Sequence, residues 1–261
     1  MFEYNLIVVG TGIRTVGQLT MESLAWMKKA DKLFYVVGDP IGEDVIKDLN
    51  PDGAQTLTHL YAEGKPRIET YNEMVETIMK SVREGFVTVA AFYGHPGVFA
   101  YPSHESIRVA LREGFKAKML PGISSEDCLF ADLGVDPAMN GCQSYEATDF
   151  LANGRIIDNS SQVILWQIGV LGDWTFKKNG YDISSMPLMV EKLTKYYPAE
   201  HEVIVYEASI YIGCEAVINK VPIYMLPYTP LNSASTLYIP PYRPTVADAT
   251  YVYRMKMPTN A

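Results

Sequence analysis

Three cysteines in 261 residues, Cys128, Cys142 and Cys214, are too few and too widely spaced for a disulfide framework or a zinc pattern. An odd, sparse set of thiols suits a reducing compartment. Histidine is scarce as well: His59, His95, His104 and His201 fall at no metal-ligand spacing, and no HExxH occurs. No run of about 20 apolar residues exists to span a bilayer. The first apolar run, Leu6-Ile7-Val8-Val9, is short and follows Glu3 with no basic residue before it, unlike a signal peptide. Basic residues do not dominate either. With 22 Lys and Arg against 30 Asp and Glu, the net charge is −8, which argues against a nucleic-acid surface built on clustered cations. These absences leave a soluble cytoplasmic globular protein. At 48% apolar residues it is long enough for a real core and for one large or two modest domains.

What is present alternates between strand and helix. Tyr4 to Val9 reads as a strand ending at Gly10, and Thr15 to Lys29 as the helix after it. Leu33 to Val37 is a second strand, stopped by Gly38-Asp39-Pro40. Met74, Val75, Ile78, Met79 and Val82 form one stripe at 3.6-residue spacing, which predicts a helix over Glu69 to Glu84. Val87 to Phe92 then reads as a strand, Ser103 to Glu113 as a helix, and Lys116 to Met119 as a short extended piece. This alternation predicts an α/β layered domain with a largely parallel sheet. After Pro121-Gly122 the pattern restarts with a helix over Ser125 to Leu133. Apolar runs follow at Val163 to Ile168 and Val203 to Tyr206, with the periodic segment Met186 to Tyr197 between them, and a last strand at Thr236 to Ile239. We expect two α/β domains, 1–119 and 120–242, with a crevice between them and a tail over 243–261.

Gly10-Thr11-Gly12 follows the first strand but is no dinucleotide fingerprint, because Gly17 comes five positions after Gly12 instead of three. Gln18-Leu19 stands where a P-loop needs Lys-Ser/Thr, so a tight strand-to-helix turn remains. The stretch Phe92-Tyr93-Gly94-His95-Pro96-Gly97-Val98-Phe99 lies just past a strand's C-terminal end, where open α/β sheets bind ligands. Its glycines let backbone approach a ligand closely, while His95 reads first as a structural hydrogen-bonding residue and second as a catalyst. Arg67 and Tyr71 are four apart on a helix starting near Pro66 and share a face. A guanidinium beside a phenol favours the phenolate, which would make the pair a base toward a very weak acid; the other reading is a packing contact. Ser144-Tyr145-Glu146, Trp166-Gln167 and Ser233 to Thr236 flank second-half strands, where ligand recognition and ordinary turn chemistry both fit.

Leu6 to Gly12 with Gln18-Leu19-Thr20, Tyr93 to Gly97, and Pro121-Gly122-Ile123-Ser124-Ser125 together resemble the tetrapyrrole methylase superfamily. Within it, Gly64 to Tyr71, Phe92 to Phe99, Leu120 to Leu133, Ser144 to Ala147, Trp166 to Gly169 and Ser235-Thr236 through Pro240-Pro241 resemble the borosin peptide α-N-methyltransferases. The resemblance spans about residues 4 to 242. It implies two α/β domains with an S-adenosyl-L-methionine cleft between them, and a homodimer that methylates backbone amides of a ribosomal precursor peptide. By motif it implies a catalytic set of Arg67, Tyr71, Tyr61 and Tyr93, with Tyr93, His95, Val98, Phe99, Ser125, Gln167, Ala208, Ser235 and Thr236 at the cofactor. No metal, nucleic acid or membrane is implied. The turn near residue 12 lacks the proline common in tetrapyrrole methylases, which weakens a porphyrinoid substrate. About 20 residues follow Pro241, and Tyr251 to Ala261, with Arg254 and Lys256, is unlike an apolar core peptide. The resemblance is therefore to the split type, with the precursor supplied in trans and two peptides joining the dimer in a heterotetramer. The alternative is a methylase of a tetrapyrrole or other small molecule.

Overall fold

The computed structural model describes residues 4–256; Glu3 and the last five residues of the expected tail lie outside them. By its contacts the chain forms two compact units. The first comprises the chain up to Gly134 together with Asp173–Tyr181 and Glu207–Val217; the second holds the remainder. The first unit thus runs past residue 120 to include the helix that follows.

The first unit holds β1 (Leu6–Gly10), α1 (Thr15–Gln18), α2 (Met21–Lys29), β2 (Lys32–Val36), α3 (Pro40–Leu49), β3 (Ala54–Thr56), α4 (Arg67–Arg83), β4 (Thr88–Phe92), α5 (Tyr101–Arg112), β5 (Ala117–Met119) and α6 (Ser125–Leu133). Its sheet has the order β3-β2-β4-β1-β5 and is wholly parallel, with Leu6 opposite Thr88 and Ala117. Both faces of β1 are buried, which explains why it reads as a continuous apolar run. Leu6 and Val8 pack with the α4 stripe Met74, Ile78, Met79 and Val82; Ile7 and Val9 pack on the other side with Met27 and Ile46.

Two sequence expectations change in this unit. The helix expected over Thr15 to Lys29 is two helices, because Leu19 and Thr20 are extended and the Thr20 hydroxyl caps α2 by accepting from the Ser23 N–H. Gly38-Asp39-Pro40 does not merely stop a strand. Asp39 caps α3, accepting from the Gly42 N–H at 2.8 Å, with Pro40 in the first turn. The start of α6 is a full capping box: Ser124 Oγ accepts from the Glu126 and Asp127 N–H groups while the Asp127 carboxylate accepts from the Ser124 N–H.

The second unit contains α7 (Pro137–Asn140), β6 (Cys142–Glu146), α8 (Ala147–Ala152), β7 (Gln162–Trp166), α9 (Met186–Leu193), β8 (Glu202–Glu207), β9 (Val217–Pro222), β10 (Thr236–Ile239) and α10 (Ala249–Arg254). Its sheet order is β6-β7-β10-β8-β9. β6 and β7 are parallel, but β10 runs antiparallel to both β7 and β8, so the second sheet is mixed. Phe150, Val163, Leu165, Met189, Leu237 and Ile239 are among its core. Among the described residues no helix is long and apolar enough to cross a membrane.

Candidate active site

At the C-terminal ends of β1, β4 and β5 three loops converge, and glycine is what lets them. A Cβ on Gly10 would lie 2.3 Å from the Gly94 carbonyl oxygen and 3.2 Å from the Gly122 Cα. Gly12 and Gly94, both at φ +73, exchange main-chain hydrogen bonds of 3.3 and 2.8 Å. These glycines therefore serve loop-to-loop contact. Gln18 braces the first loop: its Oε1 accepts from the Ile13 and Arg14 N–H groups at 2.8 and 2.9 Å, and its Nε2 donates to Cys128 Sγ. Two histidines hold Gly97. His95 Nδ1 accepts from its N–H at 2.9 Å, and His104 Nε2 lies 2.9 Å from its carbonyl. His95 thus braces its own loop, the structural hydrogen-bonding role that its sequence context favoured.

The four expected catalytic residues come together in this unit. Tyr61 follows a 3₁₀ turn over Thr58–Leu60, Arg67 and Tyr71 lie in the first two turns of α4, and Tyr93 directly follows β4. The Tyr61 hydroxyl favours the phenolate at Tyr71, while Tyr71 disfavours it at Tyr61. Tyr71 also stacks near Tyr101, with ring centroids 6.2 Å apart.

Arg67 is clamped by neutral groups. Its Nε donates to the Thr175 carbonyl at 3.0 Å and a terminal nitrogen donates to the Asp173 carbonyl at 3.3 Å, while the guanidinium carbon sits 5.3 Å from the Tyr181 ring centre. Among the described residues no carboxylate pairs with it. Residues 173–177 lie antiparallel to 64–67, with Arg67 N–H on Trp174 O and Phe176 N–H on Lys65 O. Phe176 and Tyr181 entered no sequence expectation. Phe176 packs 4.8 Å from Tyr61, ring to ring. A connection more than 100 residues downstream carries no local signal that it returns to α4.

The electrostatics correct one expectation. Arg67 does favour the Tyr71 phenolate, but burial outweighs it and the Tyr71 pKa is raised. Burial also drives Tyr61 well above the ordinary phenol value, with the neighbouring Tyr71 and Tyr93 adding to the rise. Crowding raises Tyr93 against the pull of Arg67, although solvent reaching 55% of its surface tempers that rise. Elsewhere Tyr35 is pushed up to about 12 by burial and by its hydrogen bond to Glu43. All these phenols hold their protons more tightly folded than unfolded, where the value is near 10. Between about pH 10 and 12 the folded chain therefore binds more protons than the unfolded one, and stability falls as pH rises through that window. Thermal melts from pH 8 to 12 should show a midpoint that is flat below 10 and drops above it. A rising midpoint would contradict burial as the cause.

The expected cofactor residues divide between the units. Tyr93, His95, Val98, Phe99, Ser125 and Ala208 belong to the first, with Ser125 opening α6. Gln167, Ser235 and Thr236 belong to the second. There the Ile168 N–H donates to the Ser235 carbonyl, which ties the residue after Gln167 to the start of β10. The Ser235 hydroxyl accepts from the Asn232 N–H at 2.9 Å. Phe99 (φ 51) and Gln167 (φ 60) are left-handed without being glycine, and strained backbone of this kind concentrates at ligand sites. Gln167→Gly should relieve that strain, raising stability by up to about 1 kcal/mol, while weakening cofactor binding about tenfold if the side chain is the reason the strain is kept. Calorimetric titration beside a melt checks both halves. Unchanged affinity would remove Gln167 from the site. A separate cavity of about 160 Å³, lined by residues including Arg14, Cys128, Asp132, Ser209, Cys214 and Glu215, contains none of the expected site residues.

Comparison with known proteins agrees with this architecture. Residues 5–215 match the family Tetrapyrrole (Corrin/Porphyrin) Methylases. The cyclic peptide gymnopeptides precursor methyltransferase of Gymnopus fusipes is 44% identical over 243 residues, covering 91% of this chain and 57% of that protein. The omphalotin A precursor methyltransferase of Omphalotus olearius is 38% identical over 257 residues, covering 97% and 61%. The chain thus spans about three fifths of the length of these ribosomally synthesized precursor proteins. Among solved structures, the cobalamin biosynthetic enzyme cobalt precorrin-4 methyltransferase superposes with a TM-score of 0.65 at 14% identity, covering 90% of this chain and 94% of that one. Uroporphyrin-III-C-methyltransferase from Thermus thermophilus gives 0.63 at 17%, covering 98% and 97%. At these identities the likeness shows the fold alone.

Proposed function

Since the chain belongs to the tetrapyrrole (corrin/porphyrin) methylase family, we propose that it uses S-adenosylmethionine to methylate backbone amide nitrogens of a ribosomally made peptide, iteratively and in trans. The observation that carries this reading is the Arg67 guanidinium, held by two main-chain carbonyls with no carboxylate partner among the described residues, beside Tyr61, Tyr71 and Tyr93. A cation so placed keeps its charge for an anion that forms during reaction. The curated relatives, which are named as methyltransferases joined to cyclic peptide precursors, support a peptide as the substrate. A homodimer with two bound peptides, and the division at 119/120 and 242/243, belong to the same proposal.

An amide nitrogen is a poor nucleophile because its lone pair is delocalised into the carbonyl. Tyr71 is the base that takes the N–H proton. Its raised pKa makes the phenolate rare but makes each phenolate a stronger base, which suits a very weak acid. Arg67 and the Tyr61 hydroxyl lower the cost of forming it. As the proton leaves, charge moves to the amide oxygen, where Arg67 or the Tyr93 hydroxyl would stabilise it. S-adenosylmethionine, when bound, supplies an electrophilic methyl on a sulfonium. Within the first unit, the neutral, partly apolar set of Tyr93, His95, Val98, Phe99, Ser125 and Ala208 fits such a cofactor better than a phosphate-bearing one, with the strain at Phe99 a second reason; a role for Gln167, Ser235 and Thr236 of the second unit belongs to the same proposal.

The deciding experiment is the intact mass of a ribosomal precursor peptide, supplied as a separate chain, after incubation with enzyme and S-adenosylmethionine, followed by fragmentation. Successive single-methyl increments on backbone nitrogens are expected. Labelling of the enzyme's own chain instead would replace delivery in trans by delivery in cis. Methylation of a tetrapyrrole with the peptide untouched would favour a small-molecule methylase, and failure to bind cofactor would leave only a non-catalytic module.

A further inference from the structure

We propose that Tyr181 is a positioning residue for Arg67, and that the segment Asp173–Tyr181 is the device that fixes the guanidinium; this rests on the methyltransferase reading above. A lone arginine on an exposed helix start has several rotatable bonds and would sample many orientations. Here three of its possible positions are closed off at once. The Nε edge is tied to the Thr175 carbonyl, one terminal nitrogen is tied to the Asp173 carbonyl, and one face of the plane lies over the Tyr181 ring.

The segment is itself locked by contacts that lead back to Tyr181. The Tyr181 hydroxyl donates to the same Thr175 carbonyl at 3.3 Å and accepts from the Lys177 N–H at 3.1 Å, so it closes the turn that presents that carbonyl to Arg67. At the other end the Asp173 carboxylate accepts from the Thr175 N–H and hydroxyl at 2.8 and 2.7 Å and pairs with Lys177 at 2.7 Å. Main-chain bonds then pin the segment to 64–67. Tyr181 thus acts on Arg67 twice: through its ring directly and through its hydroxyl by way of Thr175. A guanidinium fixed before substrate arrives spends no reorganisation when charge develops on the amide oxygen.

The two routes separate in two variants. Tyr181→Phe keeps the ring and loses the hydroxyl, whereas Tyr181→Leu loses both. In the full-length protein we expect single-turnover methylation of the peptide to fall about threefold in Y181F and about thirtyfold in Y181L. KM for peptide and the cofactor Kd should stay within about twofold. The Arg67 Nε–H resonance of ¹⁵N-labelled protein, assigned by its loss in Arg67→Lys, should exchange slowly with solvent in the parent, faster in Y181F and fastest in Y181L. Parent-like exchange and turnover in Y181L would overturn the inference, as would a loss confined to KM. If the parent methylates no peptide, the functional reading fails, yet the exchange series still decides whether Tyr181 positions Arg67. If Y181L does not fold, Y181F carries the same comparison.

Discussion

Tyr71→Phe is expected to lower the methylation rate by about a thousandfold, in the middle of the range for removing a general base, and to leave cofactor affinity unchanged. The substitution is conservative for the fold. The ring that stacks near Tyr101 remains, and α4 keeps its buried stripe of Met74, Val75, Ile78, Met79 and Val82. What disappears is one oxygen, the site where Arg67 and the Tyr61 hydroxyl favour negative charge. Tyr61→Phe removes a donor and leaves the base in place, so its effect should be smaller, about tenfold. The pH profile gives an independent check. Because burial raises the Tyr71 pKa, the parent's rate should climb with pH through the neutral range with no plateau below 9, limited only by protein stability. A plateau near 7, or full activity in Tyr71→Phe, would assign the proton to another group.

Gly10→Ala should strongly destabilise the first unit. The new Cβ would meet the Gly94 carbonyl oxygen at 2.3 Å and Pro96 Cδ at 2.8 Å. Main chain cannot swing aside as a side chain can. Relief requires that the loops after β1 and β4 part, breaking the hydrogen bonds between Gly12 and Gly94 and shifting Tyr93 between them and β4. A cost of about 3 kcal/mol is expected, near the upper end for overpacking, and with it a fall in the unfolding midpoint of roughly 6–12 °C. Gly38→Ala is the control, since a Cβ there meets nothing within 4 Å. If the two variants melt alike, the convergence of the three loops is not what Gly10 is for.

The parts of the fold that sequence makes legible are those where one physical signal acts alone. The α4 stripe is a single helical period, α6 has an oxygen-bearing cap followed by two acids, and β1 is buried on both faces. Where two signals compete, the reading slips. Thr15 to Lys29 carries enough helical periodicity to hide the break at Leu19-Thr20, and α3 is hidden behind Gly38-Asp39-Pro40, which announces a stop as strongly as it announces a cap. The antiparallel β10 could not be told from a parallel strand, because buried strands of either kind look alike in composition. In the site, the shared face of Arg67 and Tyr71 follows from their spacing, but the sign of the net pKa shift does not. It depends on how much protein surrounds Tyr71, and that is set by segments distant in sequence. Phe176 and Tyr181 illustrate the same limit: they reach Tyr61 and Arg67 across more than a hundred residues.

The acceptors that hold Arg67 are peptide carbonyls, and every amino acid has one. The side chains at 173 and 175 can therefore drift without removing either acceptor atom, at the cost of the Asp173–Thr175 hydrogen bonds that lock the segment. What cannot drift is spacing, since one residue inserted or deleted between 173 and 175 would move both oxygens out of register together. Selection on this part of the molecule then falls on the length and path of the chain as well as on the side chains that hold the path in place.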